Sequence, residues 1–216
     1  MLREVSPASV GEEIKKEYSL FSFTENGHVY RGEKTRLGVF IMDTSGGASY
    51  FGMCLPKIPL YLWRAAETFF NLVCRQRDTE AALQLFYDTE EGRYFLYLPE
   101  QAVEYAAVTF ERNVGLEYNE RFILVMDLHS HGRIPAFFSS VDDADELGTR
   151  LFAVFGGFFD RPLSLLRAGS GGFFKNLTPD AVIDGADGED SGTVLDALAP
   201  LVERAKDMGL LRRKEG

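Results

Sequence analysis

The stretch Phe122-Ile-Leu-Val-Met-Asp-Leu-His-Ser-His-Gly-Arg-Ile-Pro-Ala-Phe-Phe-Ser-Ser-Val-Asp-Asp143 decides how this chain is read. Its first five residues are apolar without alternation, which predicts a central strand covered on both faces of a sheet. That strand is expected over residues 122–131. Residues two apart on a strand point to the same side, so His129 and His131 project together if the strand persists. Farther on, Ser139-Ser-Val-Asp142 is close to a capping box and marks a helix start. The helix expected from there covers residues 141–155, with Leu147, Leu151, Val154 and Phe155 as its buried stripe.

Two imidazoles on one strand face can share a tetrahedral ion at ~2.0–2.1 Å. A third ligand must come from elsewhere, and Asp142, Asp143, Asp145 and Glu146 are the carboxylates at hand. A carboxylate fixed in a first helical turn suits that role, because its rotamer is constrained. Helix capping alone is the plainer account of the same serine and aspartate.

Before this stretch lie residues 1–20, a polar lead-in with helical character over 12–17. Strands are expected at 28–32, 37–42 and 49–54, separated by turns such as Ser45-Gly46-Gly47, which together make a small antiparallel layer. Pro56 and Pro59 break the chain. A helix follows over 60–75, with Leu62, Ala66, Phe69 and Val73 on one face and Trp63, Phe70 and Cys74 beside it. It ends near Arg75 and Arg77, where positive charge is favourable. Further strands are expected at 81–87, 93–98 and 106–111.

After it, residues 163–167 and 172–175 read as a hairpin turning through Ala168-Gly-Ser-Gly-Gly172. That glycine cluster is no phosphate loop, since neither Lys-Ser/Thr nor a helix follows. Residues 185–192 are acidic and glycine-rich, as in a flexible linker. A last amphipathic helix is expected over 193–208, with Leu195, Leu198, Leu201, Val202 and Ala205 apolar. Three domains result: an N-terminal β extension over 1–57, the main domain over 58–184, and linker plus helix over 185–216.

The net charge of −10 argues against duplex DNA or an anionic membrane as the main partner. Arg212, Arg213 and Lys214 make only a short basic patch. Cys54 and Cys74 lack CxxC spacing and sit among apolar neighbours, which predicts two reduced, buried thiols. The N-terminus has no signal-peptide pattern and no run approaches 18 apolar residues, so the expected compartment is cytoplasmic.

His129-Ser130-His131, seven residues, then Ser139-Ser140-Val141-Asp142 resembles the zinc signature of the JAMM family, also called JAB or MPN+ metalloproteases. The match has no gap or mismatch, and the resemblance covers roughly residues 58–177. It implies a JAB/MPN-like (cytidine-deaminase-like) α/β fold, a mixed β-sheet flanked by helices, here with extra N-terminal strands and a C-terminal helix. It implies Zn2+ held by His129, His131 and Asp142, with Ser139 assisting the carbonyl and an upstream Glu as base. Glu80, just past the 60–75 helix, matches that base's position better than Glu67, Glu90, Glu91 or Glu100. The implied activity is zinc-dependent hydrolysis of a peptide or isopeptide bond; a non-catalytic scaffold is the alternative.

At finer grain the run 127–156 is similar to the JAB-like group of ParB-related, ThiF-related cassettes on bacterial plasmids and integrated elements. Members of that group pair with a ThiF-like (E1-like) adenylating enzyme, which implies a ubiquitin-like or ThiF-linked protein tail as substrate. Deubiquitinating members usually carry Pro after the second His, where this chain has Gly132. Other zinc and His-rich hydrolases are excluded by their motifs. Barrel phosphoesterases need more histidines than His28 can add, zinc deaminases need H-x-E with P-C-x-x-C, and H-E-x-x-H is absent.

Overall fold

A computed structural model of the chain describes residues 2–103, 108–185 and 191–212, with only the backbone at 191–193. Most of the expected linker (186–190), the start of the strand expected at 106–111, and Arg213 and Lys214 of the basic patch lie outside the described residues.

In chain order the elements begin with β1 (Arg3–Glu4), α1 (Val10–Lys15), β2 (Ser19–Glu25), β3 (His28–Lys34), β4 (Gly38–Asp43), β5 (Tyr50–Met53) and β6 (Ile58–Pro59). Next come α2 (Leu60–Arg77), β7 (Ala81–Asp88), β8 (Arg93–Tyr97), β9 (Gln101–Val103), β10 (Val108–Phe110), α3 (Val114–Glu117) and β11 (Phe122–Ser130). The chain continues through α4 (Ser140–Asp145), β12 (Arg150–Gly156), β13 (Leu163–Ser170), β14 (Phe173–Leu177), β15 (Ile183–Asp184) and α5 (Ser191–Asp207). One sheet has the order β1-β2-β3-β4-β5, another β14-β13-β12-β11-β7-β8, and β9–β10 and β6–β15 form two-stranded pairs. The architecture is therefore mixed α/β, with several sheets and few helices. No helix among the described residues is long and apolar enough to cross a membrane.

The chain divides into two compact units, the first made of Met1–Lys57, Ser139–Phe152 and Leu166–Leu177. Its five-stranded sheet is antiparallel except for β1 beside β2. The strand β2 was not anticipated. It alternates buried Phe21 and Phe23 with more exposed neighbours and turns into β3 through Asn26-Gly27. Both turn residues have positive φ (50° and 81°), as tight hairpin turns require. Phe21 pairs with Gly32, where an added Cβ would fall 2.2 Å from the ring, so the glycine makes room for the core aromatic.

The helix expected over 141–155 is corrected. α4 stops at Asp145, and Arg150–Gly156 is a strand buried on nearly every residue. Leu147, placed on the expected buried stripe, is 59% exposed. Contiguous burial of Leu151-Phe-Ala-Val-Phe155 belongs to a strand covered on both faces, which a four-residue stripe does not distinguish from a helix.

The second unit comprises Ile58–Phe138, Ala153–Leu165 and Thr178–Gly216. Helix α2 buries Leu62, Ala65, Ala66, Phe69, Phe70, Val73 and Cys74, the spacing of one helical stripe. Trp63 and Phe70 hold Phe155 between ring centroids 4.7 and 5.3 Å away. Asp78 ends the helix in the left-handed conformation (φ 56°), and its N–H bonds Cys74 O at 2.9 Å. This unit buries Cys74 but Cys54, in the first unit, is exposed, which corrects the expectation of two buried thiols. Lys34 Nζ approaches Cys54 Sγ at 3.2 Å.

Candidate metal centre

Strand β11 pairs antiparallel with β7 through Asp127–Gln84, Leu128–Leu83, His129–Ala82 and Ser130–Ala81. Continued by one residue, that register sets Glu80 opposite His131. An independent contact agrees, because a Cβ on Gly132 would lie 3.6 Å from Thr79 O. Cross-strand partners share a face and alternate residues return to it. Ala82, Gln84, Asp127 and His129 therefore line one face, which the register continued by one residue would extend to Glu80 and His131, and the small Ala82 leaves room beside His129.

Beyond the strand, the backbone is held by β12 and its loop. His131 N donates to Phe155 O at 2.7 Å, Gly157 N to Ile134 O at 2.8 Å, and Phe158 N to Gly132 O at 3.2 Å. Gly132 turns with φ 56°. A Cβ on Gly156 would meet Ile134 O at 2.3 Å, so the loop after His131 lies flat on that glycine.

The two Nε2 atoms of His129 and His131 stand 3.2 Å apart. Two ligands on a tetrahedral ion with ~2.0–2.1 Å bonds stand ~3.3–3.4 Å apart, so this spacing fits a shared zinc. It equally fits one neutral ring donating to the other. His131 is buried, and the exposed ring of Phe137 packs on its imidazole edge to face at 4.7 Å. Glu80 is 7% exposed.

Ser139 and Asp142 form the capping box that the sequence suggested. Ser139 Oγ accepts from Asp142 N at 3.2 Å, and Ser139 N donates to Asp142 Oδ2 at 2.6 Å. The first bond uses a lone pair of the hydroxyl and leaves its proton for another acceptor. His129 and His131 from one unit and Asp142 from the other are two imidazoles and a carboxylate, a donor chemistry that suits zinc.

Other acidic residues raised by the sequence have other surroundings. Asp143 and Glu146 pair with Arg167. Asp145 is exposed. Glu90 and Glu91 neighbour Arg121 in the β7–β8 turn, and Glu100 pairs with Arg204. Asp127 Oδ1 accepts from Gln84 Nε2 at 3.0 Å, and the same amide reaches Glu117 at 3.4 Å.

Gln84 and Arg167 escaped the sequence reading. Each is a polar residue inside a largely apolar strand run, Ala-Ala-Leu-Gln-Leu-Phe and Leu-Ser-Leu-Leu-Arg-Ala, and that is the signal the sequence offers. No family model and no curated protein matches this sequence.

Proposed function

We propose that this protein is a zinc-dependent hydrolase of peptide or isopeptide bonds, of JAMM type. The observation that carries the reading is the 3.2 Å convergence of the His129 and His131 Nε2 atoms on the face where the strand register also sets Glu80. His129, His131 and Asp142 hold the metal. Bound there, zinc supplies Lewis acidity that polarises the scissile carbonyl and acidifies water.

The protein's own groups do the rest. Glu80 removes a proton from the attacking water and returns it to the nitrogen as the C–N bond breaks. Ser139 donates its hydroxyl proton to the carbonyl oxygen as negative charge develops, a bond whose loss typically costs ~2.7–4 kcal/mol of barrier. Phe137 walls His131 from water. The sheet containing β11 and helix α2 is read as a JAB/MPN-like core. The substrate is a ubiquitin-like or ThiF-linked protein tail, processed in the cytoplasm beside a ThiF-like, E1-like partner.

Elemental analysis of wild type and His129→Ala tests the premise: about one zinc per wild-type chain and none in the variant. Cleavage of C-terminally tagged small ubiquitin-like proteins, abolished by chelator and by Glu80→Gln, tests the activity. A zinc-free wild type would leave the scaffold alternative.

A further inference from the structure

We infer that Arg167 is a positioning residue that selects Asp142, and not Asp143 or Glu146, as the carboxylate presented to the metal; the inference rests on the zinc reading above. Asp142, Asp143 and Glu146 crowd the same short stretch of chain around α4. Glu146 follows Asp142 by four residues and Asp143 by three, so it shares a helix flank with each. Zinc accepts any of these oxygens, and geometry must choose between them.

Arg167 removes two of the three. It lies in β13, 3% exposed, in register with Asn176 of β14. Its Nε and Nη2 donate to Glu146 Oε2 at 2.8 and 2.6 Å, and its Nη1 donates to Asp143 Oδ1 at 2.5 Å. The guanidinium carbon stands 3.6 Å from the centre of the Phe174 ring, which fixes the plane of the fork. Phe174 in turn pairs with Gly169, where a Cβ would come within 3.0 Å of the ring. Asp142 accepts from Ser139 N, which holds its Oδ2 at 2.6 Å.

A buried ion pair is a weak device for stability, because desolvation offsets much of the attraction. Geometric selection gives this arginine a role that an apolar residue of its size would not fill. Lysine is a poor substitute, since one ammonium cannot reproduce a fixed fork bridging two carboxylates.

The test compares wild type, R167K, R167M and R167M/D143N/E146Q. Zinc affinity is measured by competition with a chelator, ligand geometry by the visible spectrum of the cobalt-substituted protein, and folding by circular dichroism. R167M is expected to lose affinity about 10–100-fold and to shift the cobalt spectrum, as the released carboxylates reach the ion. The triple variant, with the rivals neutralised, is expected to recover the wild-type spectrum. Folded R167M with wild-type affinity and spectrum overturns the inference. Should R167M not fold, R167K carries the test, and a wild-type cobalt spectrum there overturns it equally. A wild type that takes up neither metal defeats the zinc reading itself, an outcome distinct from metal uptake that ignores Arg167.

Discussion

Two regions of this molecule bring histidine, carboxylate and hydroxyl together, and they do it differently. At the first, His28 Nδ1 lies 2.9 Å from Asp43 Oδ2 and 3.2 Å from Ser45 Oγ. Asp43 Oδ1 accepts from Ser45 N at 2.7 Å and from its hydroxyl at 2.6 Å. Carboxylate and hydroxyl thus meet the same ring nitrogen, whereas a Ser-His-Asp relay needs one on each. Gly47 closes the turn so tightly that a Cβ there would fall 2.1 Å from Asp43 Oδ2. This region ties a turn. At the second, nitrogens of two different rings converge, and a buried glutamate immediately precedes the strand paired with theirs. Residue types alone do not separate the two regions; the atoms that converge do.

The sharpest way to break this contrast is metal content. His129→Ala is expected to abolish bound zinc while His28→Ala leaves it unchanged, by elemental analysis; equal losses would erase the distinction. Activity comes next. Glu80→Gln is expected to lower hydrolysis about 10²–10⁴-fold with zinc retained, and Asp43→Asn to leave the turnover rate unaltered.

Acid stability distinguishes the carboxylates at the turns of the two units. For Asp43, burial pushes the carboxyl up, but bonds from the Ser45 hydroxyl and the Ser45 and Gly47 N–H groups, with His28 nearby, bring it net below its usual value. For Asp88, the Arg121 fork leads in holding the pKa to about 2, with contacts of 2.9 and 2.6 Å. A depressed carboxyl stabilises above its unfolded pKa, and that stabilisation is lost as pH falls through the folded value. Urea midpoints of Asp88→Asn should therefore diverge from wild type fully above about pH 4 and converge with it toward pH 2. Asp43→Asn should flatten the acid limb in the same sense.

The smallest effect concerns the thiols. Burial, then Asp78, raises the Cys74 pKa. Cys54 is exposed. One thiol should react with a disulfide reagent in the native protein and the second only on unfolding.

Local signals carried much of the fold. The stripe from Leu62 to Cys74 is a helix because its spacing is helical, and Ser139 with Asp142 is a cap because both partners lie within one turn. Where the reading failed, the deciding partners were remote or the pattern was ambiguous. Residues 151–155 satisfy a helical stripe and a buried strand alike, and neighbouring strands settle the matter. The strand at 19–25 follows a polar lead-in, and Asn26-Gly27 at its end is its one clear local mark. Apolar neighbours suggested a buried Cys54, but adjacency in sequence is not burial. Arg167 finds its acids 21 and 24 residues away, and Ala81, next to Glu80, pairs with Ser130 from 49 residues away. At Gly132 the backbone has φ 56°, which proline cannot take, so the proline usual at that place in deubiquitinating JAMM proteins would not fit this turn.

The bond from Ser139 N to Asp142 Oδ2 gives one carboxylate two duties. If Asp142 also binds zinc, loading the ion and nucleating the first turn of α4 become a single linked equilibrium. Metal at a hundredfold excess over its dissociation constant would then add about 2.7 kcal/mol to folding. Stripping it would let the amides of Ser139 and Asp142 exchange with solvent first, so the start of a six-residue helix would report occupancy without any substrate.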